Sequence, residues 1–252
     1  MGKPFKGEHP RVYLNQKNET FKDITKTYGL DKAIHTMGCN YGDLDNDGFL
    51  DFYLGTGAPD MRAIVPNRMF RNNAGKSFQD VTSSGRFGII QKGHGISFAD
   101  IDNDGDQDIY TIIGGALSGD VFQNAFFQNP GNDNNWIVIQ LEGTKTNRSA
   151  IGSRIHLEVE MTNGNTQNIY ATVTPGASFG ANSLQQEIGL GKATAIKSLK
   201  INWANKDNNF IDYGAVNLNQ KIKIKEGDTK IQQVNYESFT FQKNSSHQHH
   251  HH

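Results

Sequence analysis

Short runs of alternating or apolar residues, cut by Gly and Asn turns, follow one another along the whole chain. CNYGD (39–43) and DFYLGT (51–56) flank one turn, and ISFAD (96–100) and DIYTII (108–113) flank another. NRMFRN, KSFQDVT and NAFFQN lie between or after them. Such segments, rich in aromatic and β-branched residues, fit a pleated surface and predict strands. Further on come WIVIQLEG, SRIHLEVEM, NIYATVT, QQEIGLG, IKSLKINWA and QKIKIKEG, again separated by Gly, Asn or Lys turns. Glycine, present 27 times, weakens helix interiors, so a helix bundle is excluded. No run approaches the ~18 apolar residues that span a bilayer.

A repeat organises the first half. DLDNDGFLD at 43–51 returns as DIDNDGDQD at 100–108, an offset of 57 residues. The same offset pairs Gly38 with Gly95, Asn67 with Asn124 and Phe70 with Phe127, and one period upstream Phe21 with Phe78 and Asp23 with Asp80. Three or four strands per period mark a propeller blade. Two to three blades cannot close a ring of at least ~4, so a partial propeller is expected, the C-terminal part of something larger. After PGNDNN (130–135) the period stops, and strand follows strand as in a β-sandwich or small barrel. Residues 1–134 carry 17 acidic and 13 basic side chains, residues 135–228 carry 8 and 10; the change in balance marks a second domain. The expected division is 1–134, 135–241, and a linker with a histidine tag at 242–252.

Nine of the 17 acids of the first half sit in the two nonapeptides. Carboxylates so crowded repel one another unless a cation lies among them. The spacing D-x-D-x-D-G-x-x-D turns positions 1, 3 and 5 to one side of a tight turn. The seventh backbone carbonyl can point inward and the ninth residue closes the shell. One site is thus expected from Asp43, Asp45, Asp47, the Phe49 carbonyl and Asp51. The other draws on Asp100, Asp102, Asp104, the Asp106 carbonyl and Asp108. Asn46 and Asn103 are expected to face outward, and the Asp106 side chain to be free. An all-oxygen set suits a hard ion with 6–8 ligands, Ca²⁺ before Mg²⁺, two ions in all. An EF-hand is excluded, since position 12 is Leu54 or Thr111 instead of Glu and the flanks are strands. The competing reading, an ion-free NDG hairpin turn, does not account for two copies with every Asp in register.

These loops and their strands resemble the FG-GAP/VCBS type of propeller repeat, as in integrin α-subunits and many bacterial secreted proteins. NWIVIQLEGTKTNRSAIGSRI (135–155), TPGASFGANSLQQEIGLG (174–191) and IKSLKINWAN (196–205) resemble an ASPIC/UnbV domain. The pairing is that of cartilage acidic protein and its bacterial relatives. The resemblance implies an all-β fold, a secreted or surface address and calcium held by the matching Asp positions. It supplies no catalytic residue. Residues 229–241 fall outside the pattern and suit an added edge strand.

Other motifs weigh less. Gly176-Ala-Ser178-Phe-Gly180 matches a nucleophile elbow, which needs a strand–helix context and a later His; the only later histidines are in the tag. A turn between strands is the better reading. The glycosylation triplets at Asn18, Asn147 and Asn244 arise readily in an Asn-rich chain. Cys39 aligns with Ile96 and reads as a buried apolar strand residue; as the lone cysteine it excludes an intrachain disulfide framework. Trp136 and Trp203 are expected in the second core. Lys145 and Arg148 read as solvated turn charges in preference to an anion grip.

The net charge of −1 suggests no nucleic-acid surface. The expected function is a secreted or cell-surface, calcium-stabilised binding or adhesion module without catalysis of its own, facing an unknown protein or glycan ligand. The alternatives are the C-terminal part of a polysaccharide-active enzyme, or a structural subunit whose open blade edges another chain covers. Calcium is expected to stabilise the first domain and leave the second nearly unaffected.

Overall fold

A computed structural model describes residues 9–57, 65–114, 122–176 and 178–241. The linker, the histidine tag and Asn244 lie outside them. Among the described residues there is no helix; seventeen strands form five sheets.

The first half holds three blades. β1 (Tyr13–Asn15) and β2 (Phe21–Asp23) form a hairpin. β3 (Thr36–Gly42), β4 (Asp51–Thr56), β5 (Arg68–Asn72) and β6 (Phe78–Asp80) form a four-stranded antiparallel meander. β7 (Lys92–Ala99), β8 (Asp108–Gly114) and β9 (Ala125–Phe127) repeat its first three strands. β3 packs on β7, and the approach is close enough that a Cβ on Gly38 would collide with the His94 carbonyl. Tyr53, Met69, Ile96, Phe98 and Ile109 fill the space between these blades. On the other face of the second blade, Leu30, Ile34, Leu54 and Phe70 border a cavity of about 440 Å³. Tyr13, Leu14 and Phe21 of the hairpin are exposed.

The period explains where the first half stops. One repeat after Phe78, the start of β6, comes Asn135, where β10 (Asn135–Glu142) begins. This strand does not join β9. It pairs antiparallel with β13 (Gln186–Gly191) and parallel with β16 (Gln220–Lys225), whose far edge carries β17 (Gln232–Val234). The facing sheet runs β12 (Thr166–Thr172), β11 (Arg154–Met161), β14 (Ala193–Asn202), β15 (Phe210–Asp212). Ile137, Ile139, Ile155, Leu157, Leu199, Ile201 and Ile222 interlock between the two sheets around Trp203. This is a β-sandwich. The strand predicted within 229–241 is present as β17.

The segment Gly143–Gly152 connects β10 to β11, as its broken alternation implies. Its backbone N–H groups at Thr144, Lys145 and Thr146 all donate to Glu226 Oε2 at 2.8–2.9 Å. The anion that this turn grips is therefore one of the protein's own carboxylates. Burial alone would raise the Glu226 carboxyl, yet these donors hold it at about 2.

Candidate metal centres

Each acidic loop links the two inner strands of a blade, β3 to β4 and β7 to β8. Asp43 opens the first turn: its Oδ1 accepts from Asp47 N at 3.0 Å and its Oδ2 from Gly48 N at 2.8 Å. Asp100 repeats this with Asp104 N and Gly105 N at 3.0 and 3.1 Å. Asn46 and Asn103 take positive φ of 53° and 62°, and Gly48 and Gly105 follow at 89° and 99°. Asn and Gly tolerate the left-handed region, so N-D-G lets the chain reverse while keeping its acids on one side.

Oxygens of Asp43, Asp45 and Asp47 come within 4.8 Å of one another, as do those of Asp100, Asp102 and Asp104. In both triads the third loop position leaves an oxygen, Asp45 Oδ1 or Asp102 Oδ1, buried with no hydrogen-bond partner. A buried orphan oxygen is costly, and a hard cation among all-carboxylate donors would satisfy it. The residues fit such an ion. Burial raises the Asp43 and Asp47 carboxyls, and neighbouring carboxylates add to the effect.

The ninth position plays a second part. Asp51 accepts from Leu44 N at 3.0 Å and Asn72 N at 2.7 Å, one oxygen each. Asp108 does the same with Ile101 N and Asn129 N at 3.2 and 2.8 Å. These side chains tie the loop's start to the end of the blade's third strand, at Asn72, or to the chain just past it, at Asn129. Burial raises their carboxyls to about 7 and about 6.

Three expectations need correction. The Asp106 side chain is not free: it is buried, its Oδ1 has no partner, and burial with the charge of Asp104 pushes it to about 8. Asn46 does not reach solvent, because its amide donates to the Gly105 carbonyl and joins the two loops. Asn103 is likewise engaged, its Oδ1 accepting from Lys221 Nζ. Trp136 is not a core residue of the sandwich. Its indole lies against Gly105, where any Cβ would overlap it.

Those contacts disclose what strand patterns could not. Both loops are packed against the sandwich. Gly191 N donates to the Asn46 carbonyl and Asn134 Nδ2 to that of Asp45. Gln107 spans the halves, accepting from Asp43 N at 2.7 Å and donating to Glu187 Oε2 at 2.7 Å. Glu187 also accepts from Asp100 N, and burial raises its carboxyl. Asn182 accepts from Phe98 N and donates to the Tyr41 carbonyl.

Residues 6–54 and 55–111 match the FG-GAP-like repeat family, and residues 143–231 match the ASPIC and UnbV family. The chain joins FG-GAP-like repeats to an ASPIC/UnbV domain. No curated protein matches it. The ASPIC/UnbV match begins after β10, although that strand lies at the centre of the domain's sheet, and it stops short of β17. The apparent nucleophile elbow belongs to the ASPIC/UnbV half, where Ser178 forms a two-way backbone bridge with Cys39 of β3 and Gly180 rests on the Ile96 backbone. Among the described residues no helix follows it, and Ser178 and Gly180 instead dock the sandwich on the repeats. Cys39 is half-buried there, and burial raises its thiol.

Proposed function

We propose that this chain is a calcium-stabilised binding module of a secreted or cell-surface protein, with no catalysis of its own. The observation that carries the reading is the pair of orphaned oxygens, Asp45 Oδ1 and Asp102 Oδ1, each inside a triad of converging carboxylates. Asp43, Asp45 and Asp47 would hold one Ca²⁺ and Asp100, Asp102 and Asp104 the other. The carbonyls of Phe49 and Asp106 and the side chains of Asp51 and Asp108 lie in the same loops as further donors. The ion would supply charge neutralisation and rigidity at the joint between the halves.

FG-GAP-like repeats are typical of extracellular or surface proteins, where millimolar calcium suits sites of modest affinity. Among the described residues no helix is long and apolar enough to cross a membrane. The ligand in this reading is a protein or glycan. The exposed Tyr13, Leu14 and Phe21, beside an apolar cavity, favour a further protein surface over the first blade. Titration calorimetry with calcium chloride tests the proposal. Two ions per chain are expected, with Asp102→Ala reducing the count to one; no binding heat, together with no shift in melting, would refute it.

A further inference from the structure

The two loops are compensated differently. In the first, Arg71 of β5 donates from Nε to Asp45 Oδ2. One repeat later stands Gln128, which makes the same bond to Asp102 Oδ2 at 2.8 Å without a charge. The second loop also has Asp106 where the first has Phe49. It therefore holds five carboxylates and draws no cation from the equivalent position of its own blade.

The sandwich supplies one. Lys221 of β16 places Nζ 2.7 Å from Asp100 Oδ2 and 2.8 Å from Asn103 Oδ1. Its side chain is only 7% exposed, and that of Asp100 1%. The Tyr236 ring lies 5.6 Å from the ammonium, and the Phe239 amide donates to the Asp102 carbonyl at 3.0 Å. Residues 236–239, beyond the family match, thus lie over the pair. A buried ammonium in direct contact with a first-position carboxylate acts at low effective dielectric.

We infer that Lys221 is a tethered surrogate cation for the second loop. It holds the carboxylates together when calcium is absent and lowers the calcium affinity of that site. The inference rests on the calcium reading above and goes beyond it, because it makes the ASPIC/UnbV half part of a metal site in the repeats. Removing the ammonium destabilises the ion-free loop more than the loaded one. Linkage then requires the variant to bind calcium more tightly. A lysine that merely pinned the two halves together would have the opposite effect or none.

Calorimetry with calcium chloride on the full chain separates these cases. Lys221→Met is expected to tighten one site at least about tenfold, the order set by one unit charge several ångströms away even at near-bulk screening, and to leave the other unchanged. Lys221→Arg, which keeps the charge, is expected to stay near the wild-type affinity. Melting of Lys221→Met should fall further in chelator than in calcium, and a variant that folds only with calcium supports the inference. If Lys221→Met folds in neither condition, Lys221→Gln, which can still donate to Asp100, is judged by the same criterion. Calcium binding that is present but unchanged or weakened by loss of the charge overturns the inference alone. Absence of calcium binding by both wild type and variant overturns the calcium reading beneath it.

Discussion

The Gly191 amide of the sandwich donates to the Asn46 carbonyl of the first acidic loop across 2.7 Å. Gly191 is the last residue of β13, so this loop docks against the end of a strand in the other half. Whatever orders the loop must then order β13. This changes the expectation that calcium acts on the repeats alone. Calcium should slow hydrogen exchange at Gly191 and at Phe239, whose amide donates to the Asp102 carbonyl. Protection confined to residues 36–114 would show the halves to be uncoupled.

Gly189 and Gly105 lie where the halves meet. A Cβ on Gly189 would overlap Asp43 Oδ2 and the Asn46 backbone, and one on Gly105 would enter the Trp136 indole. Overpacking of this kind costs about 1–3 kcal/mol. Gly189→Ala should therefore lower the melting point and weaken calcium at the first loop, while Gly164→Ala, where a Cβ meets nothing, should show only the smaller strain of a positive φ of 77°. Equal losses in the two variants would mean the interface carries no strain.

Asp102 and Asp108 separate ion-binding from stapling. Asp102 keeps one buried oxygen without a partner, whereas both Asp108 oxygens accept backbone N–H groups. Asp102→Ala should lose its stability chiefly in calcium, by about 1.4 kcal/mol at ~1 mM calcium and a Kd near 0.1 mM. Asp108→Ala, which removes a backbone staple as well as a donor, should be destabilised in chelator too. Denaturant unfolding in both conditions gives the comparison.

Glu226 gives the sandwich a pH signature. Its folded carboxyl, at about 2, lies below the ordinary 4.5. Such a group contributes stability that is complete above the ordinary value and is lost as pH falls from there through about 2. Glu226→Gln should cost roughly 2 kcal/mol at neutral pH, the scale of hydrogen bonds to a charged group. The gap to wild type should narrow steadily between about pH 5 and pH 2. A gap independent of pH would assign the loss to packing.

The loops were legible because their chemistry is local. D-x-D-N-D-G fixes its own turn through hydrogen bonds within five residues, and a 57-residue period exposes the blade by self-comparison. Arg71 and Gln128 could have been found the same way, being one period apart on the same loop position. Lys221 could not. QKIKIK reads as any alternating strand, and its partner Asn103 lies 118 residues away. Trp136 misled for the same reason: a tryptophan opening an apolar strand looks like core until the neighbouring half supplies Gly105 to receive it.

If ions in the acidic loops hold this molecule together, thermal unfolding of the full chain must differ between calcium and excess chelator. Two sites at about 1 mM calcium give roughly 3 kcal/mol, which for a chain of this size raises the midpoint by about 5–10 °C. That shift is expected, with the repeats and the sandwich moving together. A midpoint identical in calcium and in chelator would contradict it.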